Sequence, residues 1–439
     1  MTLLKRINGN QRLMRLVGGG SVGVLIKGSA AGLSLAMFAA LAWVTDTESF
    51  GVIGFCFSLA TLLAVAGSFG QRMMSLKDAA IARDTSENTR LTLIGQSSTM
   101  IVALGTLLFS LLLLPARDMG IIDLDLTVFV AMAGLAVTLA LAENTVHFFR
   151  GYRSIAFALI PRDILWRLSV IAVCMIALIA SFTVPTTPAL WVLSLPLLGL
   201  ICAQLLSEPA LRDGSHIGDL ISEGRRRVRN GLPFWGTSMI QTVSGPVLAP
   251  VILGVMMSPD AVGPFFAAFR IALVLDLFTL AAGMVVAPLV AKGHANSQYE
   301  DMQASLRYSV LLVSAATLIC FLIIVFFGEN ILALMNPDFT SAAPALTVLG
   351  LGFLIAVLCG PVPNIMELAG LENLLFKRLI WFNLACLVVL VPATQHFGMM
   401  GAAVCSAGLR AAVHITLLFT VKSHLRIDPS IFSLWHKAK

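Results

Sequence analysis

Residues 168–207 read LSVIAVCMIALIASFTVPTTPALWVLSLPLLGLICAQLLS, forty consecutive positions without an Asp, Glu, Lys or Arg. A bilayer-spanning helix needs about 20 mostly apolar residues. The stretch is therefore two spans, cut at the proline-rich turn Thr183-Val-Pro-Thr-Thr-Pro188. The whole 439-residue chain has the same character: 58% of it is hydrophobic and 12% charged, against about 45–50% and 25% in a soluble domain. Too few polar side chains remain to coat a globule, and so apolar a chain does not stay disordered. The seven cysteines all lie in apolar stretches without paired spacing, which excludes a disulfide scaffold.

Upstream of that stretch, runs nearly free of charge cover Leu16–Thr45 (broken only by Lys27), Ser49–Gln71, Leu91–Ala116 and Leu126–Phe149, which carries Glu143. Downstream they cover Asn230–Pro259, Ala261–Ala291 (with Arg270 and Asp276), Tyr308–Gly328, Phe339–Met366 and Leu379–Val421, the last divided near His396-Phe-Gly398. The sum is about twelve spans in an all-α membrane protein. The apolar region after Arg15 exceeds a signal-peptide core and lacks a cleavage pattern, so the first helix is expected to stay as an anchor. Of the 29 basic residues, 25 fall on one side of the alternating loops, among them Arg162 and Arg167, and one, Arg117, falls on the other. By the positive-inside rule both termini are cytoplasmic. The net charge of +6 thus reflects topology, and no nucleic-acid partner is expected.

The chain carries echoes of itself. Glu48-Ser-Phe-Gly51 and Asp260-Ala-Val-Gly263 stand 212 residues apart, and Gly151-Tyr-Arg and Gly370-Leu-Glu stand 219 apart, at equivalent places in the topology. Each half then holds six spans starting on the same side, a parallel duplication. The acid is read as capping the next helix and the Gly as permitting a tight turn. The expected division is an N-terminal lobe (1–210), a basic cytoplasmic linker (211–230), a C-terminal lobe (231–424) and a tail (425–439). The linker run Arg225-Arg-Arg-Val-Arg229 reads as a solvated, lipid-facing anchor.

No Walker A loop, G-x-S-x-G elbow or HExxH motif is present, the seven histidines are scattered, and the loops are too short for a catalytic domain. Neither an enzyme nor a metal or cofactor is expected. The unusual residues lie inside spans, where a charge costs roughly 2.5–3.5 kcal/mol or more and marks function by default. Lys27, Arg270 and Arg410 are three cations at membrane depth, a pattern suited to an anion-accepting cavity. Arg410 has Glu143 or Glu367 as possible counter-ions; Asp276 is six residues from Arg270, off its helix face. Glu143, His147 and Arg150 form one stripe, read as an ion pair near the inner surface, and Ser406, Arg410 and His414 form another. Gln241 and its polar neighbours, beside Pro246 and Pro250, and Gly360-Pro-Val-Pro363 with Glu367 suggest bent helices lining a wet interior.

Ser258-Pro-Asp-Ala-Val-Gly-Pro-Phe-Phe-Ala-Ala-Phe-Arg270, Phe327-Gly-Glu-Asn through Ala343-Pro-Ala-Leu346, and Gly398-Met-Met-Gly-Ala-Ala403 resemble the signatures of the polysaccharide flippase family. Thr47-Glu-Ser-Phe-Gly51 and Gly67-Ser-Phe-Gly70 match its opening helices. These are Wzx-like oligosaccharide-lipid flippases of the MOP superfamily, which also holds drug exporters (MATE) and the lipid II flippase. The resemblance implies two six-helix lobes around a central cavity. It implies flipping of an undecaprenyl-diphosphate-linked oligosaccharide across the bacterial inner membrane, with polymerase or glycosyltransferase machinery as partners. It also implies a cationic cavity, into which Lys27, Arg270, Arg410 and Arg72 fit. Gln241, Glu143, Asp276, Glu367 and His414 are the polar or coupling candidates. Where many relatives carry an Asp in helix seven, this chain reads Val243-Ser-Gly-Pro246. The alternative on the same fold is a cation-coupled exporter of drugs or small molecules, which would want acidic cavity residues without excess Lys or Arg.

Overall fold

The computed structural model describes residues 2–84, 88–211, 215–243, 247–279, 283, 299–425 and 427–434, and all regular structure among them is helical. The first half holds α1 (Thr2–Val44), α2 (Thr47–Gly67), α3 (Gln71–Asp84), α4 (Asn88–Leu111), α5 (Leu114–Asp118), α6 (Leu126–Tyr152), α7 (Ile155–Ile160), α8 (Trp166–Ile179) and α9 (Thr186–Leu206). The second holds α10 (Ile217–Val243), α11 (Leu248–Met256), α12 (Pro259–Ala272), α13 (Tyr299–Met335), α14 (Ala343–Leu358), α15 (Val362–Leu368) and α16 (Glu372–Leu425).

Nine of these segments are individually long and apolar enough to span a membrane. Three local irregularities recover the rest of the twelve among the described residues. Helix α16 is two helices joined at Gly398, whose φ of 56° and ψ of −136° are not helical. Helices α10 and α11, bent by 62° to each other, are together long and apolar enough to span. Helices α7 and α8 are continuous through a π-helical turn at Pro161–Leu165. Pro161 has no N–H to give to the carbonyl four residues back, which favours the wider turn.

The first echo corrects its own reading. Asp46, not Glu48, caps α2, its carboxylate accepting the Ser49 amide at 2.7 Å. Gly51 and Gly263 lie inside α2 and α12, where these helices cross. A Cβ on Gly51 would overlap the Pro259 carbonyl, and one on Gly263 would sit 3.0 Å from the Thr47 carbonyl. The two glycines of the first echo thus meet each other. In the second echo Gly370 ends α15 at a φ of 74°, whereas Gly151 is helical and packs on α3. Around the α2–α12 crossing the halves are further tied by Trp43 Nε1 donating to the Leu334 carbonyl (2.7 Å) and Thr47 Oγ1 donating to Asp338 (2.8 Å). Gly51→Ala should therefore destabilise the protein by about 1–3 kcal/mol, read as a lowered unfolding midpoint in detergent. Gly199→Ala, whose Cβ meets nothing within 4 Å, should not lower it. An unchanged Gly51→Ala midpoint would contradict the close crossing.

The opposite end corrects the reading of the linker. Arg225, Arg226 and Arg229 are exposed, but Arg227 is fully buried. Its guanidinium donates to Asp78 (2.7 Å), Gln71 (2.8 Å) and Ser75 (3.0 Å), all on α3. Position 227 faces α3 because Gly70, at a φ of 73°, and Gly231 let the two backbones touch, and Trp235 donates to the Ala66 carbonyl at 2.8 Å. The tail folds back as well: Gln303 exchanges two hydrogen bonds of 2.7 Å with the Asp428 backbone.

Candidate functional site

Two adjoining chambers of about 340 and 330 Å³ open among α1, α2, α6, α8 and α12. They share Ser34, Glu143, Arg162, Arg167 and Arg270; Lys27 and Asp163 line the first, Arg72 the second. Each charge is there for a local reason. The π-turn carries Arg162 and Asp163 inward, and Trp166, donating to the Leu193 carbonyl at 2.8 Å, fixes the helix that carries Arg167. Arg72 follows the turn made by Phe69 and Gly70, both at positive φ. Glu143 is presented by α6, with His147 bonded to its carbonyl at 2.8 Å one turn on.

Two carboxylates hold four of the five cations. Glu143 binds Arg162 and, at 3.3 Å, Arg72. Asp163 binds Lys27 at 2.7 Å and Arg167 at 3.4 Å, with Arg162 at 3.7 Å. Five cations against two carboxylates leave a formal excess of three positive charges. The Nε donors of Arg162 and Arg167 are buried without a hydrogen-bond partner among the described residues. Such donors are costly unless an anion or water meets them.

Arg270 is held differently. Among the described residues it has no carboxylate within ion-pair distance. Its guanidinium lies over the rings of Phe38 (4.6 Å), Phe57 (4.8 Å) and Phe266 (4.6 Å). The three rings pack edge to face, with centroids 5.1 to 6.3 Å apart. Cation–π contact of this kind steadies a cation by about 0.5–2 kcal/mol and leaves its charge uncompensated. Phe38 and Phe57 come from the first half and Arg270 from the second, so the cage lies between the halves.

The remaining candidates gather elsewhere. Gln241, Asp276, Glu367, Arg410 and His414 line a separate cavity of about 310 Å³. Arg410 bonds to Asp276 at 3.0 Å, not to Glu143 or Glu367, and lies 3.9 Å over the Phe353 ring. The 3-10 turn Leu273–Leu275 after α12 sends Arg270 to one cavity and Asp276 to the other. Ser244, Gly245 and Pro246 lie outside the described residues.

The sequence reading thus needs two corrections, one for Lys27 and Arg410 and one for Arg162 and Arg167. Lys27 and Arg410 are ion-paired, and Arg410 does not join the cavity of Lys27 and Arg270. Glu143, expected to be ion-paired and a cavity candidate, pairs with Arg162 and Arg72 in that cavity, while Arg150 of its stripe is exposed. Arg162 and Arg167, assigned to a basic loop, are cavity residues. A charge-free window cannot find them, because a span may begin on charges that are paired inside the fold. Pro161-Arg-Asp-Ile-Leu-Trp-Arg167, directly before the forty apolar residues, is the signal that was present.

A family model described as "Polysaccharide biosynthesis protein" matches residues 16–294. No curated protein matches the chain. Among solved structures, an inward-facing multidrug resistance MATE family transporter of the MOP superfamily aligns at 14% identity with a TM-score of 0.72, over 92% of this chain and 98% of that one. The lipid II flippase MurJ, in an inward closed conformation, aligns at 13% identity and a TM-score of 0.65, over 92% of this chain and 87% of that one. A MOP superfamily transporter from Pyrococcus furiosus, described as having a binding pocket of reverse polarity, aligns at 13% identity and a TM-score of 0.56, over 92% and 96%. At such identities the likeness is one of fold. With its apolar membrane-spanning helices, a charged interior and a family match over residues 16–294, this chain is a multi-pass membrane protein that belongs to the polysaccharide biosynthesis protein family, and its fold is the one seen in those MATE, MurJ and Pyrococcus furiosus structures.

Proposed function

We propose that the protein moves a polyprenyl-diphosphate-linked oligosaccharide from the inner to the outer leaflet of a bacterial inner membrane by alternating access. The observation that carries this reading is Arg270, a cation held by phenyl rings and left without a carboxylate in a cavity that already has excess positive charge. A diphosphate cannot cross hydrocarbon unaided, because losing its hydration is prohibitive. Fixed guanidinium and ammonium groups replace that hydration in the cavity, while the prenyl chain stays in lipid. Rocking of the lobes 1–210 and 231–424, joined by the linker 211–230 with the tail 425–439 beyond, then exposes the cavity to each side in turn. The similarity to a lipid II flippase supports a lipid-linked substrate, and a glycan polymerase or transferase on the far side would consume the product.

The exporter reading finds less support. A cationic drug calls for acidic residues without excess Lys or Arg, and the chambers around Arg270 carry five cations against two carboxylates, both of them committed to cations. The test is reconstitution in liposomes carrying a fluorescent polyprenyl-diphosphate glycan in both leaflets. The protein should speed its exchange, and should leave the corresponding sugar-free, phosphate-free polyprenol unaffected. Equal effects on both lipids would overturn the reading.

The orientation is tested separately. In a cysteine-free background, Cys introduced by Asp118→Cys should react with an impermeant maleimide from outside intact cells, and that from Arg226→Cys should react only after permeabilisation. The reverse pattern would invert the assignment of inside and outside.

A further inference from the structure

The second cavity differs from the first in the sign of its charge. Asp276 and Glu367 face one cation, Arg410, and Arg410 is already engaged with one oxygen of Asp276 at 3.0 Å. Glu367 has no ion pair among the described residues, and the Asp276 side chain is 43% exposed. The groups left over are mostly acceptors: the Glu367 carboxylate and the second Asp276 oxygen, joined by the Gln241 amide and the His414 ring. Such a set suits a ligand that carries many hydrogen-bond donors and no negative charge. It repels a carboxylate, because Glu367 has no counter-ion to share.

The two cavities also flank one helical run. Arg270 and Asp276 sit six residues apart along one helical run, roughly 9 Å at the helical rise. A cargo whose diphosphate is held at Arg270 and whose sugars extend past the Leu273–Leu275 turn would bring those sugars to Asp276.

We infer that the cavity of Gln241, Asp276, Glu367, Arg410 and His414 is the glycan subsite, and that its carboxylates select neutral, hydroxyl-rich sugars next to the diphosphate over acidic ones. This rests on the transport reading above and names the substrate class within it. The first cavity supplies attraction for every diphosphate lipid. The second supplies discrimination by repulsion, which is how a site rejects a near-identical competitor.

The experiment measures binding of three probes to the purified full-length protein: a short polyprenyl diphosphate, the same lipid carrying N-acetylglucosamine, and the same lipid carrying glucuronic acid. The wild-type protein should bind the N-acetylglucosamine lipid about tenfold more tightly than the glucuronic acid lipid. Glu367→Gln keeps the shape and hydrogen bonding of the side chain while removing its charge. In that variant the acidic lipid should gain most of the tenfold, with the neutral lipid nearly unchanged. Arg270→Ala should weaken all three probes alike. Equal affinity for the two sugars in the wild type, or a preference untouched by Glu367→Gln, would overturn the inference and leave the transport reading standing. Failure of the sugar-free diphosphate to bind would overturn both.

Discussion

Arg270→Ala should lower the rate of lipid-linked glycan exchange by roughly ten- to a hundredfold, with the amount of folded protein near wild type. The magnitude is that of a charge-assisted bond to a phosphate oxygen, lost where water cannot replace it. The protein should survive the change because Arg270 is not neutralising a buried acid: its described contacts are phenyl rings. Arg270→Lys should fall in between. It restores a positive charge but loses the planar stacking on Phe38, Phe57 and Phe266 and the two-point grip on a phosphate. Exchange by Arg270→Ala at the wild-type rate would remove Arg270 from the transport path.

Arg227→Ala should instead destabilise the fold by about 3–5 kcal/mol, the usual consequence of leaving one member of a buried ion pair alone. The guanidinium has no solvent exposure, and it satisfies Asp78, Gln71 and Ser75 together. Its helix, α10, continues into the first broken span of the second half, so the same contact anchors that half to α3. The unfolding midpoint in detergent should drop sharply. Replacing both partners, Arg227→Leu with Asp78→Leu, should recover much of the loss, because no charge is then left unpaired. Arg226→Ala, at an exposed position paired with Glu223, should change little. A midpoint as insensitive to Arg227 as to Arg226 would mean that the linker is the solvated anchor its composition suggests.

That pair of arginines shows what a sequence can and cannot tell. Spans are legible because hydrophobic length is a property of the segment itself, and Pro and Gly mark breaks such as Gly398 through their own backbone geometry. Charges within spans, such as Lys27, Arg270 and Arg410, are legible for the same reason. Their partners are not. The Arg410–Asp276 pair joins residues 134 apart, and Arg227 meets Asp78 across 149, so only the fold says that one arginine of a run is buried and its neighbour wet. Arg162 and Arg167 were hidden because paired charges can begin a span. The phenyl cage was hidden because Phe38 and Phe57 look like any lipid-facing aromatics until Phe266 and Arg270 arrive from the other half.

The most direct measurement is a structure of the protein in a lipid nanodisc with a short-chain polyprenyl diphosphate bound. The diphosphate should sit in the chambers of Lys27, Arg72 and Arg270, with its oxygens within about 3 Å of the Arg270 guanidinium nitrogens. A diphosphate bound elsewhere, with Arg270 still stacked among its three rings, would contradict the account.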